Sequence, residues 1–197
     1  AKELPDRVIG VGVAEVHALT FASGLACDGV VPVVAIYSSF MQRAYDQIMH
    51  DIALQNLHVV MVLDRAGLVG ADGPTHHGAF DLSFLRTVPG ITILAPGNEN
   101  ELRDMVRASI DMKGPVAIRY PRGTALEEHL KPAPETVDVK RPKVLEEGKD
   151  ILLLGAGFMT NELKKTAAVL RENGKNPTVV DARVIKPLDT EAYRKLF

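Results

Sequence analysis

Helix-length patterns alternate with short apolar runs along the whole chain, and that alternation predicts an α/β fold built on parallel sheets with right-handed crossovers. Two further observations support this reading. The runs at 30–37 and 58–63 are almost continuously apolar, as strands covered on both faces are. The second run opens into a polar, glycine-rich stretch, residues 64–78, at the place where open parallel sheets bind ligands. Gly67, Gly70, Gly73 and Gly78 rule out regular structure there, and Asp64, Arg65, Asp72, Thr75, His76 and His77 are packed between them. By position alone the stretch is either a site or a solvated surface loop.

The elements follow in order. Residues 7–12 (Arg-Val-Ile-Gly-Val-Gly) read as a short strand. Residues 14–26 read as a helix with Ala14, His17, Ala18, Phe21, Ala22 and Leu25 on its inner stripe. Its small residues Ala22, Gly24 and Ala26 allow close approach to another backbone, and Gly29 ends it. A strand at 30–37 tolerates Pro32 near its start. Ser38 and Ser39 are suitable N-caps for a helix running to about Gln55. Its core stripe is Phe40, Ala44, Ile48 and Ile52, with Met41 and Tyr45 alongside.

The third strand and the glycine-rich loop come next, followed by a short helix at 80–86 and a strand at 91–95 that stops at Pro96-Gly97. Asn98 or Asn100 caps a helix through Met112, with Leu102, Met105, Val106 and Ser109 turned inward. A fifth strand, 116–120, ends at Pro121-Arg122-Gly123. Prolines and charges are mixed from 124 to 149, including Glu127 and Glu128, which reads as a linker or surface excursion. A strand at 150–155, a helix at 160–173 and a strand at 178–182 then open a second domain. The expected division is 1–123, a linker at 124–149, and 150–197 as the incomplete second domain.

Composition limits the function. The 197 residues are 46% apolar, enough for a real core. A net charge of -2 gives no bulk electrostatic case for nucleic acid or an anionic membrane. Cys27 is the only cysteine, which excludes an internal disulfide and fits a reducing compartment. No apolar run approaches the roughly 20 residues of a membrane span, and no signal peptide is visible at the start. The chain opens on Ala1 and stops at Phe197 within a pattern, so it reads as a piece of something longer.

Several residues could carry chemistry. Glu15 sits on a helix whose other inward residues are apolar. It is either a desolvated carboxylate in need of a partner or an exposed first-turn acid stabilised by the helix dipole. His76 and His77 are adjacent on a loop and diverge, with no zinc spacing around them, so hydrogen bonding or proton transfer suits them better than a metal. Arg119 and Arg122 end a strand, and each suits a phosphate or carboxylate or else a surface salt bridge. Gly155-Ala156-Gly157 lacks the third glycine of a dinucleotide fingerprint, and no nucleophile elbow is present.

Taken together, five stretches resemble one family. They are Val13-Ala14-Glu15-Val16-His17-Ala18, the run from Tyr37 to Gln47, the 64–78 loop, Ala95-Pro96, and Arg119-Tyr120-Pro121-Arg122-Gly123. In this order they closely resemble the 1-deoxy-D-xylulose-5-phosphate synthase family, thiamine-diphosphate enzymes related to transketolase. The resemblance implies a three-layer pyrimidine-binding domain up to about Gly123 and the start of a transketolase C-terminal domain from about Asp150. The domain expected to hold the diphosphate and Mg²⁺ is absent from the sequence.

The resemblance also implies a reaction joining pyruvate to glyceraldehyde 3-phosphate, with loss of CO2, in a cytoplasmic homodimer feeding isoprenoid and thiamine synthesis. Glu15 matches the glutamate that hydrogen-bonds the cofactor's pyrimidine nitrogen, and Phe40 matches the aromatic that stacks on that ring. Tyr37 and Arg43 lie on the same wall. Arg65 and Arg122 match the arginines that hold the triose phosphate. His76 matches the histidine near the reacting carbonyl, with Asp72 beside it. Many members have Gln where this chain has Val16, which leaves the hydrogen bonding around Glu15 open. The beta subunits of 2-oxo-acid dehydrogenases share this layout, but the two arginines and the Thr-His-His loop fit the synthases better. A catalytically silent fragment is the remaining alternative.

Overall fold

A computed structural model describes residues 2–124, 130–135, 138–139 and 141–196. Glu127, Glu128 and Phe197 lie outside the described residues. The chain builds two sheets. The larger has the order β1 (Val33–Tyr37), β2 (Val60–Asp64), β4 (Val116–Arg119), β3 (Thr92–Leu94), β8 (Val184–Lys186). Its first four strands are mutually parallel, with Val33 opposite Val60, and Val60 and Thr92 both opposite Val116. The smaller sheet runs β5 (Lys143–Glu146), β7 (Pro177–Asp181), β6 (Ile151–Gly155).

The parallel expectation holds for the helix-crossed strands and fails at two edges. Strand β8 pairs antiparallel with β3, and β5 pairs antiparallel with β7. Both antiparallel strands are short segments without a crossover helix of their own, so their patterns carry no sign of direction. Strand β5 falls within the stretch read as linker. Strand β8 returns from the second region to complete the first region's sheet.

Helix α1 (Glu15–Cys27) forms as the periodicity predicts, but it is rotated. Glu15, Ala18, Leu19, Ala22 and Ser23 are buried, while His17 and Phe21 face outward and stack on each other at 6.0 Å. The helix is apolar on both faces, so an apolar pattern could not tell inside from outside.

The helix expected from Ser38 onward is segmented. It comprises α2 (Ser38–Met41), a 3-10 turn (Gln42–Ala44), α3 (Tyr45–Gln47) and a π turn (Ile48–Ala53). Tyr37 stands at the N-cap without a side-chain cap bond, so neither serine caps it. The segmentation seats Met41, Ala44, Ile48 and Ile52 in the core and leaves Phe40 only half-buried. No strand forms at 7–12 among the described residues: Pro5–Arg7 is a 3-10 turn, and Val8 and Ile9 are exposed with no neighbouring strand to pair with.

Helix α4 (Asp81–Thr87) follows the loop, and α5 (Glu99–Ile110) is capped by Asn98, whose side chain accepts the Glu101 N–H at 2.9 Å. In the second region α6 (Met159–Glu172) crosses between β6 and β7, and α7 (Thr190–Arg194) follows β8. Two apolar clusters face opposite sides of the larger sheet. One joins Leu19, Met41, Ile48, Ile52, Leu63 and Leu85, and the other joins Val60, Leu94, Met105 and Ile118. No described helix is long and apolar enough to cross a membrane.

Candidate active site

The carboxyl ends of β1, β2 and β4 meet at one edge of the larger sheet, and each delivers a functional side chain by ending there. Strand β1 ends on Tyr37, and the tight turn into α2 brings Phe40 beside it, with ring centroids 5.5 Å apart. The next 3-10 turn carries Arg43, whose guanidinium lies 4.8 Å from the Phe40 ring centroid. Arg43 also donates to Glu15 Oε1 at 2.9 Å.

Glu15 is therefore buried, only 8% exposed, and it has a partner. Of the two sequence readings for this residue, the desolvated carboxylate is the one realised. Its side chain borders a cavity of about 260 Å³ lined also by residues 11–14, Ala18, Ile36, Tyr37 and Phe40. Drug-sized ligands occupy roughly 300–1,000 Å³, so this space suits a single heteroaromatic ring. A carboxylate and aromatic side chains lining one such space are what an aminopyrimidine requires, so the residues present fit that part of thiamine diphosphate.

The 64–78 loop is a compact, tied structure. Gly67 and Gly78 exchange two backbone hydrogen bonds, 2.9 and 2.8 Å, which close its neck. Any side chain at Gly78 would collide with the Arg65 carbonyl and with Ser38. Two 3-10 turns, Gly70–Asp72 and Pro74–His76, are separated by Gly73 at φ 81°, a conformation that glycine adopts without strain. The turns push His76 against the aromatic wall, 5.1 Å from Phe40 and 6.2 Å from Tyr37.

The two histidines do diverge. His76 Nδ1 meets the Thr75 hydroxyl at 2.9 Å, whereas His77 Nδ1 accepts the Val69 N–H at 3.2 Å and is used to hold the loop. Among the described residues no group of three or more His, Cys, Asp or Glu could hold a metal.

The arginines separate in the same way. Arg119 is committed to the buried carboxylate of Asp81 at 2.7 Å and serves the fold. Arg65 has φ 62° and lies 3.7 Å above the Tyr37 ring. Its Nε donates to Asp72 at 2.8 Å and its Nη1 to Asp64 at 2.5 Å. Arg122 is 46% exposed and meets Asp72 at 3.4 Å, so it is the more accessible of the two. The hydrogen bond from Arg65 holds the Asp72 carboxyl below its usual range, and Arg122 adds to the effect. Sequence reasoning missed the partners. Asp64 was legible as a polar loop residue, but its grip on Arg65 was not, and nothing in the pattern tied Asp81 to Arg119 across 38 residues.

Comparisons with known proteins define the family. Residues 1–126 match the family described as "Transketolase, pyrimidine binding domain", and residues 141–197 match "Transketolase, C-terminal domain". The chain belongs to the transketolase pyrimidine-binding-domain family. At closer range it is similar to proteins named 1-deoxy-D-xylulose-5-phosphate synthase. It is 58% identical to one from Chlorobaculum tepidum over 95% of this chain and 30% of that protein. It is 54% identical to one from Magnetococcus marinus over 99% of this chain and 31% of that protein. The chain thus spans about 30% of the length of the curated relatives it matches. A solved structure named "Split gene transketolase, inactive beta4 tetramer" superposes with a TM-score of 0.86 at 30% identity, covering 98% of this chain and 64% of that one.

Proposed function

We propose that this chain is part of a 1-deoxy-D-xylulose-5-phosphate synthase. The whole enzyme would condense pyruvate with glyceraldehyde 3-phosphate, releasing CO2 and giving 1-deoxy-D-xylulose 5-phosphate for isoprenoid and thiamine synthesis. The observation that carries the reading is the buried Glu15 carboxylate lining one ring-sized cavity together with Phe40 and Tyr37. The names of the relatives at 50–58% identity support the substrate pair.

In this reading Glu15 hydrogen-bonds the pyrimidine nitrogen of thiamine diphosphate and Phe40 stacks on the ring. Arg43 orients the Glu15 carboxylate, and Tyr37 supports Arg65. The bound cofactor supplies carbanion stabilisation at its thiazolium carbon. Arg122, with Arg65 behind it, receives the aldehyde's phosphate as a charge-assisted donor. Asp72 keeps those two guanidinium groups together, and His76 exchanges a proton with the substrate oxygen. The diphosphate and Mg²⁺ are assigned to a domain outside this chain, and a cytoplasmic homodimer is the proposed assembly.

Product analysis with the full-length protein tests the reading. Incubation with pyruvate and glyceraldehyde 3-phosphate should yield 1-deoxy-D-xylulose 5-phosphate. Oxidative decarboxylation of 2-oxo acids without that product would instead favour a 2-oxo-acid dehydrogenase beta subunit. The 197-residue chain alone should bind thiamine diphosphate weakly, since it supplies only the pyrimidine half of the site. Micromolar affinity by calorimetry would contradict that division.

A further inference from the structure

The two regions of the chain meet along a seam whose centre, Gly97, also borders the cavity lined by Asp64 and Arg122. Ala95 N donates to Arg183 O at 2.8 Å, and the Asn161 side-chain amide donates to Gly97 O at 2.7 Å. Gly97 stands at a tight crossing. A Cβ on Gly97 would lie 3.2 Å from Asp181 Oδ2 and 3.4 Å from Glu101 Oε2. Two carboxylates from different regions of the chain thus converge on one point.

Both are removed from water: Asp181 is 4% exposed, and the Glu101 side chain 15%. One guanidinium serves them. Arg183 Nε lies 2.8 Å from Glu101 Oε1, while Glu101 Oε2 accepts the Gly97 N–H at 2.7 Å. Asp181 accepts the backbone N–H of Arg183 at 3.0 Å, and Thr160 and the Arg183 charge favour its ionised form without outweighing burial.

The other charged groups around this point do not redress the balance. Glu101, Asp181 and Arg183 line a cavity of about 340 Å³ that Lys143 on β5 and Lys164 on α6 also border, both of them exposed. Asp104 on α5 and Glu135 share Lys131, at 3.6 and 2.7 Å. Tyr193 on α7 is neutral, its hydroxyl pKa pushed upward chiefly by burial and further by the neighbouring acids Asp181 and Asp189. Two buried acids face one cation, and a buried unpaired charge is costly.

We propose that Asp181 and Glu101 form a proton-binding site that locks the seam between the two sheets, and that losing this proton loosens it. The proton comes from solvent and sits on Asp181, the more deeply buried acid, so that Glu101 keeps its close pair with Arg183. Burial, with the neighbouring Glu101 charge, pushes the Asp181 carboxyl up to about 7, which puts the transition near neutral pH. The sign follows from linkage. A carboxyl whose folded pKa is raised contributes stability that is complete below its ordinary value and is lost as pH rises through the folded value.

Amide hydrogen exchange in the full-length protein that contains this segment reads the seam directly, through a peptide spanning residues 94–102. After correction for intrinsic exchange rates, a carboxyl moving from an ordinary pKa to about 7 lowers protection about fifty-fold from pH 5 to pH 7, and about twofold more to pH 8. Asp181→Asn keeps the acceptor for the Arg183 N–H and should hold protection constant across that range. Glu101→Gln keeps an acceptor for the Gly97 N–H and should move the levelling-off to lower pH. Protection independent of pH in the unaltered protein, an equal decline in Asp181→Asn, or an unmoved transition in Glu101→Gln would each overturn the proposal.

Discussion

In the 64–78 loop, Asp64 and Asp72 share Arg65, and Asp72 also meets Arg122. In the seam, Asp181 and Glu101 have Arg183 alone. The residue types are the same, and the outcomes are opposite. Arg65 pulls the Asp72 carboxyl below its ordinary range, whereas burial and Glu101 push Asp181 up to about 7. The number of cations and the depth of burial decide the sign, as the balance between ion pairing and desolvation requires. A balanced, partly open cluster leaves one of its guanidinium groups, Arg122, accessible from solvent. A buried, unbalanced one can only be completed, by a proton.

The largest effect that would break this contrast comes from removing the seam's sole guanidinium. Arg183→Met leaves Glu101 buried without a cation, so unfolding by denaturant should show a loss of about 3–5 kcal/mol. A loss under 1 kcal/mol would mean that the seam is wetter than its burial indicates. Next in size, Arg122→Ala should raise KM for the phosphorylated aldehyde over that for pyruvate by about 1.5–3 kcal/mol, roughly 10- to 150-fold. Equal effects on both substrates would remove phosphate binding from the open cluster. The smallest effect is the response of the loop to acid. Asp72, with its lowered pKa, contributes stability that is present above the ordinary carboxyl value and lost only as pH falls below it. Hydrogen exchange of residues 65–78 should therefore stay flat between pH 5 and 8, where the seam changes, and rise only in stronger acid. A transition of the loop near pH 7 would erase the distinction.

Much of this was written locally in the chain. The apolar runs gave β2 and β4 within a residue or two, and Asn98 marked the start of α5, because a strand's burial and a helix cap are both local properties. The loop was legible because four glycines and six polar residues crowd into it. Glu15 was legible as an acid in an apolar helix, and burial then chose between its two readings. What could not be read was non-local. Residues 7–12 look like a strand, but no neighbour lies beside them. The apolar character of both faces of α1 hid which side turns inward. Strand β8 is three residues long and joins a sheet whose other strands all lie between residues 33 and 119. Arg119 and Arg122 look alike in sequence, and only the position of Asp81 separates a structural arginine from an accessible one.

The central claim is that Glu15, held by Arg43 and facing Phe40, activates the cofactor through its pyrimidine ring. The most direct test is the exchange rate of the thiazolium C2 proton of thiamine diphosphate bound to the full-length protein, measured by quenched-flow NMR for the unaltered enzyme and for Glu15→Gln. Positioned acid–base groups contribute about 10²–10⁴-fold, and a loss of that size with folding and cofactor binding retained is the result this account predicts. An exchange rate unchanged by the substitution would contradict it.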